Sequence, residues 1–315
     1  MTKARDLADY TGLQADLAGL QTNITAGDSA ARAGRKNFII NGGFDVWQRG
    51  TTGAQANGGF VADRWKGNNY TTGTFTFSQR TDATGQTFRT YGRLAQSSAG
   101  SNNSTQGIMQ WIEGLHLVGK TVTVSFKVRG NAALSGCKVR GIIAQQTFNL
   151  TTDWVKHSFT GTGIQDGSNT RLMFDWGLEN TTWHVDIAEV QVEVGSVATD
   201  FEHRSYGEEL ALCQRYYEVL STTSDNNRNR YNGVAWDSSN LNIFINFLVE
   251  KRADATVAIT SIGQVFNGSW VNASGSAVTG AGKRGCTIAI QKTGGYTAKY
   301  GYFIRSQAIT ADAEL

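Results

Sequence analysis

Between residues 119 and 130 the chain alternates without a break. Val122, Val124, Phe126 and Val128 fall on one side, and Thr121, Thr123, Ser125 and Lys127 on the other. That is the period of an antiparallel strand with one buried face. Segments 75–79, 88–95, 107–112, 137–144, 154–160, 171–176 and 183–194 share this texture. With an opening segment at 37–50 they predict about nine strands and no long helix between them, the pattern of a two-sheet β-sandwich.

The alternation closes at Val190, Val192 and Val194, with Gln191 and Glu193 opposite, and Gly195 and Ser196 end it. The period then changes. Ser205 stands three residues before Glu208, a capping-box signature, and Leu210, Cys213, Tyr217 and Leu220 follow at helical spacing. A connecting helix is therefore expected over 205–220. Beyond a polar loop, 241–250 places Leu241, Ile243, Ile245, Phe247 and Val249 on one face. Segments 256–262, 264–271, 285–291 and 297–305 follow, separated by NG, SG, TG and GG turn signals. Residues 221–315 are thus expected to form a second, small β-sandwich.

At the other end, Tyr10, Leu13, Leu17, Leu20 and Ile24 recur at the a and d positions of two heptads. So short a helix is marginal alone in water. Its stripe, with Leu13, Leu17, Leu20 and Ile24 as the seam, either joins copies of itself, docks on a neighbouring protein, or packs on its own domain. Residues 26–36 read as a linker. The organisation expected is a mainly β chain: an N-terminal helical segment (1–36), a sandwich (37–204), a connecting helix (205–220) and a sandwich tip (221–315).

Composition narrows the function. The chain has 315 residues, 40% hydrophobic and 17% charged, with a formal net charge of +3 and no basic run. That texture argues against a nucleic-acid binder. Glycine numbers 37 and proline zero, so turns fall to Gly, Asn and Asp. The cysteines Cys137, Cys213 and Cys286 frame neither a disulfide scaffold nor a metal site, which fits assembly in a reducing cytoplasm. No segment has the length and apolarity for membrane insertion, and no apolar signal-peptide core follows the first residues.

Catalytic chemistry is sparse. The four histidines stand alone, and no GxSxG, HExxH or phosphate-cradling loop occurs. Asp175 and Glu179 could form a glycosidase pair only if the fold set them across a substrate; solvated carboxylates are the plainer reading. Cys213 on an apolar stripe reads as packing. Among eight Trp, Trp47, Trp65 and Trp154 read as core. Trp236 and Trp270 lie beside polar turns at 237–240, 267–269 and 272–282. They are candidates for stacking on a sugar, with a place in the core as the alternative.

The run 191–217, QVEVGSVATDFEHRSYGEELALCQRYY, resembles a junction that recurs in bacteriophage and prophage tail-fibre proteins. NFIINGGFDVWQRG at 37–50, with ADRW at 62–65, resembles the opening of those that carry a carbohydrate-binding-module-like jelly roll. The resemblance implies a jelly roll over 37–204 and a receptor-binding fibre, assembled in the host cytoplasm and carried on the virion. It implies a homotrimer, attached through its N-terminus to tail, baseplate or other virion proteins, that binds a bacterial surface glycan without catalysis. The alternatives are a polysaccharide depolymerase and a head fibre or decoration protein. It also implies one structural calcium ion where the first strand meets the last, with Asp45 and Asp186 at the matching positions. Asp45 stands where a Glu is common, and one acid fewer lies near Asp186. The other reading is that both acids cap loops or pair with Arg49 or Arg64.

Overall fold

The computed structural model describes residues 36–54, 56–69, 74–98, 106–167, 169–177, 182–221, 231–261, 263–266, 268–305 and 308–315. The heptad seam Leu13, Leu17, Leu20 and Ile24 lies outside the described residues. The first unit runs through β1 (Thr52–Ala54), β2 (Lys66–Asn69), β3 (Thr74–Arg80), β4 (Tyr91–Ser98), β5 (Gln106–Ile112), β6 (Thr121–Gly130), β7 (Leu134–Gly141), β8 (Gln146–Leu150), β9 (Val155–Thr162), β10 (Thr170–Asp175) and β11 (Trp183–Val194). A six-stranded sheet, β1-β3-β4-β11-β6-β9, faces a five-stranded one, β2-β5-β10-β7-β8.

Their facing sides make one core. On β6, Val122, Val124, Phe126 and Val128 are at most 1% exposed, as the alternation requires. Each such side chain contributes roughly 1.5–3 kcal/mol by leaving water. β11 has the predicted bounds and pairs with both β4 and β6. Its polar side is buried as well, because residues 199–202 fold back over it. Glu202 N–H donates to Gln191 Oε1 at 2.9 Å, and Thr199 N–H to Glu193 Oε1 at 2.9 Å. Val194, expected inside, is half exposed.

The opening segment 37–50 is not a strand. It threads the end of the sandwich as irregular chain, held by side-chain hydrogen bonds. Asn41 adopts φ 57°, a left-handed conformation that asparagine tolerates, and its amide joins Val46 and Asp63 backbone atoms. The next residue must be glycine, since a Cβ on Gly42 would lie 2.1 Å from the Val190 carbonyl oxygen. Trp47 and Trp65 are core, as expected, and donate to the carbonyls of Phe44 and Asn41. Trp154 is only half buried, edge-on to Phe88 and Tyr91 in a satellite cluster outside the main core.

The connecting helix is shorter than its period predicts. α1 covers Tyr206–Gln214, capped by Ser205, whose side chain accepts from the Glu208 N–H. The chain then becomes β12 (Tyr217–Ser221) instead of helix to 220. The reason is tertiary. β12 pairs with β20 (Ala308–Asp312), about ninety residues later, and its Glu218 forms a buried ion pair with Lys251.

The rest comprises β13 (Tyr231–Ala235), β14 (Leu241–Asn246), β15 (Thr256–Ser261), β16 (Gln264–Phe266), β17 (Trp270–Ala281), β18 (Gly285–Lys292), β19 (Gly301–Arg305) and β20. Six of these close into a barrel, β13-β14-β18-β17-β16-β19, with a three-stranded sheet β12-β20-β15 beside it. The expected second sandwich is therefore corrected to a barrel. The decisive strand is β17, twelve residues of mostly small side chains in a stretch whose composition reads as turn. Two register irregularities, at Ala273/Gly275 and Val278/Gly280, mark bulges of the kind that let a strand coil and close a barrel. β14 ends at Asn246 instead of 250, and Leu248 is 79% exposed.

Candidate functional site

The turn after β13 is built around Asp237. Its Oδ1 accepts from the N–H groups of Ser239 at 2.6 Å and Asn240 at 2.7 Å, and Trp236 N–H donates to the Asn240 carbonyl at 3.0 Å. These hydrogen bonds, the Ser239 one foremost, hold the Asp237 carboxyl below its ordinary range. Ser238 is tied from the other side, its carbonyl accepting from Tyr296 N–H at 2.8 Å. A short, self-bonded turn thus holds Trp236 out in solvent, 79% exposed.

Beside Trp236 lies a groove of about 430 Å³ on the outer face of the barrel. Its floor is a cross-strand row, Asn242 of β14, Ala289 of β18 and Ala277 of β17, small enough to leave room above it. Gln291, Ser276 and Thr279 supply amide and hydroxyl groups along its walls, and the Gln291 amide donates to Asn240 Oδ1 at 3.3 Å. Asp237 is the one charged side chain among the described residues lining it. An exposed indole over small residues, ringed by amides and hydroxyls, suits a ligand with flat C–H faces and hydroxyl edges.

Trp270 is placed differently. It is half buried on β17, with the Arg305 guanidinium 4.0 Å from its ring centre and Phe266 at 5.1 Å. It lies outside the Trp236 groove, so the two tryptophans do not form one site. Turn 237–240 is a turn as expected. Residues 272–282 are mainly β17, and they serve the groove as wall and floor instead of as a loop. Ser276 and Thr279 fall in the polar stretch 272–282 that the sequence singled out, whereas Asn242 and Gln291 escaped sequence reasoning. Of these two, Asn242 carried a signal, its outward position in the alternation of β14.

The two acids of the implied calcium site have separate partners. Asp186, fully buried, receives Arg93 Nε at 2.6 Å and Nη2 at 2.8 Å, and Arg129 Nε at 2.9 Å. Asp45 is exposed and accepts from the Thr90 hydroxyl. It shares a depression with Glu189, whose carboxylate is taken by Lys127 at 3.0 Å and Thr87 at 3.0 Å. Calcium needs several oxygens converging on one point, and two guanidinium groups around Asp186 are the opposite chemistry. These residues do not fit the ion. The alternative of pairing with arginine holds for Asp186, though its partners are Arg93 and Arg129 instead of Arg49 or Arg64. Among the described residues no cluster of three or more His, Cys, Asp or Glu converges.

Cys213 is fully buried, and burial pushes its thiol well above the ordinary range, in line with packing. Asp175 faces Arg140 at 3.7 Å, and Glu179 lies outside the described residues.

No family model matches the chain, and no curated protein does. Solved structures do. A CBM4 structure is similar at 23% identity over 50% of this chain and 99% of its own, with a TM-score of 0.37. A putative sugar binding protein from Bacteroides thetaiotaomicron is similar at 13% identity over 51% of this chain and 100% of its own, TM-score 0.38. The enzymatically active domain of tailspike protein 4 of bacteriophage CBA120 is similar at 11% identity over 50% of this chain, TM-score 0.35, and the match spans 21% of that protein. No helix among the described residues is long and apolar enough to cross a membrane.

Proposed function

We propose that this chain is a bacteriophage tail-fibre protein that binds a bacterial surface glycan through the Trp236 groove. The observation that carries the reading is the exposed indole held over a floor of small side chains among amide and hydroxyl groups. The junction at 191–217 and the opening at 37–50 support the fibre context by resemblance. The protein acts as a homotrimer assembled in the host cytoplasm and carried on the virion. Leu13, Leu17, Leu20 and Ile24 form the seam, and the N-terminus attaches to tail, baseplate or other virion proteins. It neither binds nucleic acid nor enters a membrane. Several copies turn weak sugar contacts into firm adhesion.

The groove binds without turnover. Hydrolysis of a glycosidic bond is most commonly carried out by two carboxyl groups, one of them with a raised pKa to act as the acid. Asp237 is the one acid among the described groove residues, and its carboxyl is shifted the wrong way.

The test is Trp236→Ala on an array of bacterial surface polysaccharides. Its melting temperature should stay at the parent value, and glycan binding should fall roughly fivefold or more, the loss of about 1 kcal/mol in ring stacking. Undiminished binding by the folded variant would remove the groove from the mechanism. Appearance of new reducing ends would make the protein a depolymerase.

A further inference from the structure

Among the described residues eight of the exposed large apolar side chains belong to the barrel unit, and Val234, Phe244 and Phe303 lie on the outward side of three adjacent strands. Trp236 is 79% exposed, Phe244 74%, Tyr300 65%, Val234 56% and Phe303 49%. The strand pairing shows how they adjoin. Val234 of β13 lies opposite Asn242 of β14 on one side and Gly301 of β19 on the other. The groove floor is therefore one end of a longer row, Gly301, Val234, Asn242, Ala289 and Ala277. Beside it runs a second row in which Asn232 pairs with Phe303, and Phe303 with Phe266 of β16. The inward neighbours Gly233, Ala235, Tyr302 and Ile304 are buried, so the alternation of the strands keeps both rows on the outside.

We infer that the Trp236 groove continues across the β14-β13-β19 face, and that its ligand is an uncharged glycan chain several sugars long, bound along its length instead of by its end. This rests on the glycan reading of the groove and goes beyond it in naming the ligand class. Two observations support it. The outward row adds β13 and β19 to the groove floor, two further strands at about 4.8 Å spacing, or roughly 10 Å around the barrel, which is longer than a single sugar. Both rows lack charged side chains, and the one acid at the groove, Asp237, repels uronate, sulfate or phosphate groups.

The amides select a sugar over a protein. Asn232 and Asn242 sit among the apolar side chains of the face. A protein surface pressed on them would bury amides that need partners. A glycan carries hydroxyls at every residue to meet them, and its C–H faces cover Phe303, Phe244 and Val234.

The experiment uses the full chain, titrated with cello- and chito-oligosaccharides of increasing length, with polygalacturonate as the charged control. Affinity is expected to rise with length, roughly fivefold for each added aromatic contact. The exposed-site variants Phe303→Ala and Phe244→Ala should keep the parent melting temperature and bind a disaccharide as the parent does, yet lose the gain shown by long oligomers. Affinity independent of length, with Trp236→Ala still lowering it, would overturn the extended site and leave the groove standing. Equal or tighter binding of polygalacturonate would overturn the uncharged ligand class. No binding of any sugar by the parent would overturn both readings. A smaller sedimenting species for Phe303→Ala would assign the face to a second copy of the chain and overturn the inference.

Discussion

The guanidinium of Arg64 lies 3.5 Å from the centre of the Tyr216 ring, joining the first sheet unit to the segment after α1. Arg64 also donates to the Trp111 carbonyl at 2.7 Å and pairs with Glu314. Arg49 repeats the arrangement, 3.4 Å from the Tyr217 ring centre. Two stacked arginines thus clamp the start of β12 and the residues after β20 onto the end of the first sheet unit. Tyr216→Ala should cost about 3–5 kcal/mol, the usual loss for a large buried aromatic. The measurement is the denaturant midpoint, followed at tryptophans of both units. A loss below 1 kcal/mol would show that the units hold together by other means.

Lys251 and Glu218 form an ion pair with both side chains at most 1% exposed. The ammonium is completed by the carbonyls of Gln214 at 2.7 Å and Val249 at 3.1 Å. Lys251→Met leaves Glu218 charged and unpaired in the interior and should cost about 3–5 kcal/mol. Adding Glu218→Leu should restore a large part of that loss in urea unfolding. A double variant no more stable than the single one would show that the pair itself, and not the stranded charge, sets the cost.

Asp63 accepts from Gln48 N–H at 2.6 Å and from Arg49 at 3.1 Å, yet burial outweighs both and pushes its carboxyl up to about 6 from 3.8. A carboxyl raised on folding favours the folded state when protonated. Its ionisation therefore weighs against folding above pH 6, and that penalty disappears as the pH falls from about 6 towards 4. Comparing the parent with Asp63→Asn from pH 8 to pH 4 isolates this group. The parent should gain stability relative to the variant on acidification through 6; a constant difference, or one of opposite sign, contradicts the assignment.

Gly42 approaches the β11 backbone so closely that an added Cβ would lie 2.1 Å from the Val190 oxygen, with backbone instead of a yielding side chain in the way. Gly42→Ala should lower stability by about 3 kcal/mol, at the upper end of overpacking costs. Thermal unfolding of the variant checks it, and a shift within a degree or two of the parent would mean that the opening segment relaxes freely.

What the sequence determined by itself is what depends on near neighbours. The bounds of β11, the inward side of β6 and the cap at Ser205 all follow from local periodicity or capping, and the burial of Trp47 and Trp65 was legible through the motifs at 37–50 and 62–65. The exposed turn at Asp237 is equally local, since an aspartate that accepts from the N–H groups two and three residues on needs nothing distant. What only the tertiary structure decided is partnership. Tyr217 to Ser221 keeps a helical spacing but becomes β12, because β20 offers its backbone edge. The serine, alanine and glycine of β17 read as a turn until β16 and β18 flank them and bulges close the barrel. Asp186, which the family resemblance left open between a calcium ligand and an arginine partner, is met by two arginines from neighbouring strands. The groove follows the same rule: Trp236 was visible in the chain, while Ser276, Thr279 and Gln291 reach it only through register set by strand pairing over tens of residues. A side-chain pattern fixes which face of a strand turns inward, but which strand lies beside it is settled by long-range hydrogen bonding and the closure of a shared core.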